Sequence, residues 1–118
     1  MMIKHTVLMT VEEYFALKNY LIRLKADGKF DNDVFIQKFY KSFAIESSIK
    51  LDRQHKMFDN ANAHITFELE NDYTILSTVG LFCREYYSET KRDCPKVAGA
   101  LRKLKDYISA ELLDIFNL

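Results

Sequence analysis

His64-Ile65-Thr66-Phe67-Glu68-Leu69-Glu70 is the stretch on which the fold turns. Its apolar and polar residues alternate with the period of two that marks a half-buried strand. The same residues also fit a helix, because Leu51, Phe58, Ala61, Ile65 and Leu69 fall at helical spacing. Just before them, Asp59-Asn60-Ala61-Asn62 favours a turn, since short polar side chains compete for backbone hydrogen bonds. If Asn71-Asp72 is a hairpin turn, Tyr73-Thr74-Ile75-Leu76-Ser77-Thr78-Val79 is the returning strand. Against that, Leu76, Val79, Phe82, Cys83, Tyr86 and Tyr87 continue a helical face past the point where a strand should stop. The balance favours helices. It predicts one mainly α domain over 1–118, a four- or five-helix bundle, with an α+β fold carrying a hairpin at about 64–79 as the alternative.

The flanking segments read more directly. Thr10-Val11-Glu12-Glu13 is a capping box, with the Thr10 hydroxyl accepting from the Glu13 amide and the Glu13 side chain reaching back. Phe15, Leu17, Leu21, Ile22 and Leu24 then form an apolar stripe flanked by Tyr14 and Tyr20, and Gly28 suits the left-handed position after the helix end. A short turn to Asp33 leads into a second helix from about Asn32 to Glu46, with Val34, Phe35, Phe39 and Phe43 on one side. The last helix has Asp93 as a cap and Pro95 in the first turn, followed by Val97, Leu101, Leu104, Ile108, Leu112 and Ile115. Gly99 inside it costs about 1 kcal/mol relative to Ala, which a close helix crossing would explain, as would chance.

At 118 residues the chain buries roughly 65% of its unfolded surface, enough for a core. Its net charge of zero supplies no global attraction to nucleic acid or membranes. The charge is unevenly spread: acidic residues dominate Asp59 to Glu89, and Lys91, Arg92, Lys96, Arg102, Lys103 and Lys105 form a basic stretch. No apolar run approaches the roughly 20 residues of a membrane span, and the N-terminus lacks the order of a signal peptide. Cytoplasmic residence with reduced thiols is the expectation.

Chemistry is sparse. His5, His55 and His64 are the only imidazoles, and each reads as a surface or boundary residue rather than a catalytic base. Cys83 and Cys94 form no C-x-x-C pair, so neither a metal site nor a cofactor is expected. With Gly28, Gly80 and Gly99 as its only glycines, the chain has no phosphate-cradling loop. The expectation is a protein that is not an enzyme and acts by presenting a surface. Adjacent Tyr86 and Tyr87 cannot both enter one helix face, which makes Tyr86 a candidate interface anchor.

The run from Asp27 to Tyr40, with its Gly28-Lys29 turn and early Phe35, resembles small helical bacterial immunity proteins related to the colicin D immunity family. Leu81-Phe82-Cys83-Arg84-Glu85-Tyr86-Tyr87 is similar to that family's later helix. The resemblance touches about half of the chain, through core patterns of low specificity. It implies a non-enzymatic antitoxin that binds a cognate ribonuclease-type toxin domain and blocks its cleft with acidic residues in place of RNA phosphates. The residues expected to do so are Glu68, Glu70, Asp72, Glu85, Tyr86 and Glu89. The rival expectation is a small helical adaptor or phage-type regulator that uses the Lys91–Lys105 stretch.

Overall fold

A computed structural model describes residues 1–52 and 61–116, the side chain of 116 excepted. His55, Phe58, Asp59 and Asn60, used in the sequence reading, lie outside the described residues. The elements are β1 (Met2–Thr10), α1 (Val11–Ala26), α2 (Val34–Tyr40) running into a π-helical turn (Lys41–Ile45), β2 (Ser48–Leu51), β3 (Asn62–Glu70), α3 (Tyr73–Thr90) and α4 (Pro95–Phe116). The strands form an antiparallel sheet in the order β1-β3-β2.

The architecture is therefore α+β, and the all-helical bundle gives way. The period-two reading of His64 to Glu70 holds, but its partner is not the next segment along the chain. β3 pairs with β1 from Met2↔Glu70 to Thr10↔Asn62, and with β2 from Ser48↔Thr66 to Leu51↔Ala63. Tyr73 to Val79 is the start of α3, not a returning strand. The polar pair that resembles a hairpin turn instead starts a helix: the Asp72 carboxylate accepts from the amides of Thr74 at 2.8 Å and Ile75 at 3.3 Å.

Alternation along the strands sorts the two faces of the sheet. His5, Val7 and Met9 of β1 and Ala63, Ile65, Phe67 and Leu69 of β3 are buried against the helices. Lys4, Thr6 and Leu8 stand on the opposite face, with His64, Thr66 and Glu68 beside them, all exposed or half-buried. Aromatic rings dominate the centre of the core. Phe39 stacks on Phe43 at 5.3 Å, and Phe67 meets Phe43 edge-on at 5.4 Å.

α1 begins with the expected capping box: Glu13 N donates to Thr10 Oγ1 at 3.0 Å, and Thr10 N donates to Glu13 Oε1 at 2.8 Å. Its buried face is rotated from the expected stripe. Tyr14 is buried while Phe15 is 40% and Ile22 39% exposed. The Tyr14 hydroxyl makes this possible, because it donates to the Phe43 carbonyl at 3.1 Å and meets Ser47 Oγ at 2.6 Å. Gly28 has φ +72° just past the helix end, as its position suggests. In α2 the buried residues are Ile36 and Phe39, and Val34 is exposed.

α3 and α4, joined by four residues from Lys91 to Cys94, pack as a helical hairpin. α4 also crosses α1. Lys103 Nζ lies 2.6 Å from Glu13 Oε1, and Lys96 Nζ lies 3.6 Å from Glu12 Oε2.

Candidate partner-binding surface

The solvent-facing side of the sheet is built by register. Lys4 stands opposite Glu68 and Met2 opposite Glu70, Thr6 pairs with Thr66 beside Ser48, and His64 lies between Leu8 and Lys50. Thr6 and Thr66 are joined through their hydroxyls at 3.1 Å. Leu8 and Met2 are 51% and 54% exposed, so this charged face carries two apolar side chains open to solvent.

β2 ends its pairing at Ser48↔Thr66, although β3 continues to Glu70. The π-helical turn fills the position beside the remaining residues. Glu46 N donates five residues back to the Lys41 carbonyl at 3.0 Å, and Ser42 Oγ donates to the Glu68 carbonyl. A groove of about 470 Å³ opens between this turn and the sheet. Lys4, Lys38, Lys41, Glu46, Glu68 and Glu70 bring balanced charge to it. Lys38 bridges Glu70 at 3.4 Å and Lys41 bridges Glu46 at 3.6 Å, both on exposed side chains.

The six residues expected to bind a partner do not form one patch. Glu68 and Glu70 line the groove. Asp72 caps α3. Glu85 and Glu89 share an exposed stripe of α3 with Leu81, Arg84 and Ser88, on the order of 20 Å along the helix axis from Asp72 at 1.5 Å per residue. Tyr86 is half-buried, with its ring 4.6 Å from Phe82 and 5.9 Å from Tyr20. It is tied into the core as much as it is presented.

The basic stretch is divided as well. Lys96 and Lys103 are engaged by Glu12 and Glu13, and Arg102 lies 4.0 Å from Asp106.

Among the described residues the nucleophile and base candidates are kept apart. Burial pushes the Cys83 thiol up to about 12, while His64 lies on the far side of the sheet, facing solvent. His5, expected at the surface or boundary, is buried at 1% exposure, with its Nδ1 2.8 Å from the Tyr107 hydroxyl. The sequence signal for this is its place in the alternating series His5, Val7, Met9. Among the described residues no three His, Cys, Asp or Glu side chains converge as metal ligands. No described helix is long and apolar enough to cross a membrane.

Comparison with known proteins gives this chain no relative: no family model, curated protein or solved structure matches it.

Proposed function

We propose that this protein is a non-enzymatic binding protein that occludes a protein partner, and that the partner is a ribonuclease-type toxin domain for which it serves as the cytoplasmic immunity protein. The observation that carries this reading is the solvent-exposed sheet face running into the groove beside the π-helical turn, with Glu68 and Glu70 on its rim. A nuclease cleft is basic because it holds phosphates, and carboxylates on a shaped rim complement it. The Lys38–Glu70 pair is no obstacle, since exposed ion pairs are worth about 0–1 kcal/mol and exchange readily for a partner's Arg or Lys. The toxin assignment itself rests on the Asp27–Tyr40 and Leu81–Tyr87 resemblance.

The test is an affinity pull-down of the tagged protein from its native cells at moderate salt, with mass spectrometry of the species that stay bound. A stoichiometric nuclease domain is the expected result. With that partner in hand, Glu68→Lys combined with Glu70→Lys should weaken binding and flatten its salt dependence. Unchanged affinity removes the groove as the interface, and a bait without any nuclease removes the toxin.

A second reading, a regulator that grips nucleic acid, is favoured by Lys91, Arg92 and Lys105, which among the described residues stand outside the ion pairs that hold the other three cations of that stretch. Nucleic-acid binding that falls steeply with salt is its signature.

A further inference from the structure

We propose that His5 and Tyr107 form a proton-sensitive latch that holds the C-terminal half of α4 on β1, closed while the imidazole is neutral and released when it gains a second ring proton. The His5 ring stacks on Phe67 of β3 at 5.5 Å with 28° between planes, and meets the edge of Tyr107 at 5.7 Å. Its Nδ1 is satisfied by the Tyr107 hydroxyl at 2.8 Å. Its Nε2 is buried and has no hydrogen-bond partner among the described residues.

A neutral imidazole needs one donor and one acceptor, whereas an imidazolium needs two acceptors. Here Tyr107 provides for one nitrogen only. The second N–H of the charged ring would be sealed in the core with no acceptor in hydrogen-bonding geometry among the described residues, which is the costly arrangement for a buried charge.

The charges around the ring do not rescue it. Burial lowers the pKa of His5; Glu111 of α4 and the Leu69 backbone of β3 pull it back, and the net direction stays below the ordinary value of 6.5. Lys4 of its own strand and Glu68 and Glu70 of β3 belong to the opposite face by alternation. α1 and α3 bring no charge that acts on it among the described residues.

The Tyr107 hydroxyl is the bolt of this latch. It reaches the imidazole across the interface between α4 and β1, which pack directly on each other. Displacing it therefore cuts the side-chain hydrogen bond that ties α4 to β1.

The test tracks the His5 ring by NMR titration in the full chain and measures amide hydrogen exchange at pH 7.5 and 5.0, corrected for the intrinsic pH dependence of exchange. His5 should titrate below 6.5, and amides from 107 to 116 should lose at least tenfold protection at pH 5.0 while those from 97 to 104 keep theirs. His5→Phe keeps the stack on Phe67, gives up the Tyr107 hydrogen bond and carries no proton, so its protection of 107 to 116 should be the same at both pH values. A His5 titration at or above 6.5, an equal loss in His5→Phe, or a loss spread evenly over α4 overturns the latch. If His5→Phe does not fold, Tyr107→Phe decides: it should show reduced protection of 107 to 116 already at pH 7.5, and unchanged protection overturns the proposal.

Discussion

Gly99 and Glu13 meet where α4 crosses α1, so closely that a Cβ on residue 99 would stand 2.5 Å from Glu13 Oε2. The glycine is there for the carboxylate. Glu13 closes the capping box of α1 and receives Lys103 in the same space, so it has little freedom to step aside.

That relationship predicts a change of sign. Gly99→Ala gains about 1 kcal/mol of helix propensity but pushes the Glu13 carboxylate off its partners, for a net loss of about 1 kcal/mol. In a Glu13→Ala background the obstacle is gone, and the same substitution should stabilise by about 1 kcal/mol. Urea unfolding of the four proteins reads the cycle. An identical effect of Gly99→Ala in both backgrounds would remove the contact as its cause.

Glu13 also sets an acid limit. Burial pushes its carboxyl up, but Lys103 and the Thr10 amide together hold it below the ordinary value of 4.5. A carboxyl lowered in the folded state binds fewer protons there than in the unfolded chain, so it stabilises the fold above about 4.5 and loses that contribution as pH falls through its folded pKa. Glu13→Gln should cost about 1–2 kcal/mol at pH 7 and flatten the fall of Tm between pH 5 and 3, measured against the parent chain. His5 works in a higher window. Its lowered folded pKa means that stability declines as pH drops below about 6.5.

Asp72 should matter to α3 before it matters to any partner. Asp72→Ala removes the acceptor for two amides and is expected to cost about 1 kcal/mol, with Asp72→Asn close to neutral. Thermal unfolding monitored by circular dichroism separates them. Equal stability for all three proteins would deny Asp72 its capping role.

The aromatic centre should be the most sensitive part of the molecule. Phe39→Ala leaves a void among Phe43, Phe67 and Phe82 and is expected to cost about 3–5 kcal/mol. Leu81→Ala, at a residue 64% exposed on α3, should stay within about 0.5 kcal/mol of the parent. Comparable losses at the two sites would mean that the core is centred elsewhere.

How much of the fold is legible in the sequence depends on how local each signal is. The start of α1, the φ of Gly28 and the Pro95 entry to α4 are decided within a few residues, and all are readable. β1 is harder to read, because two of its residues go against their residue type: His5 is buried and Leu8 is exposed, so only position in the alternating series, not polarity, marks the strand. β2 is four residues long and exposed throughout, too short to show a period. β3 is legible as a strand, but its partner is not, because Met2↔Glu70 joins the two ends of a segment containing α1, α2 and β2. Local chemistry points to the wrong neighbour, since a turn and a helix cap ask for the same Asn and Asp side chains. The acidic residues can be named from sequence. Their separation onto the groove, a helix cap and a distant stripe of α3 depends on the direction and length of that helix.

The π-helical turn fixes a length. Because Glu46 N reaches back five residues to Lys41, the segment holds one residue more than an α-helical path would, and that extra residue lets Ser42 meet the sheet while Phe43 enters the core. Deleting any one residue of 41–45 would close the turn to ordinary helical bonding and swing the chain beyond it, β2 included, by about 100°, the rotation per residue of an α-helix. Among homologues, this turn should vary in composition more freely than in residue count, and insertions should collect in the loops instead.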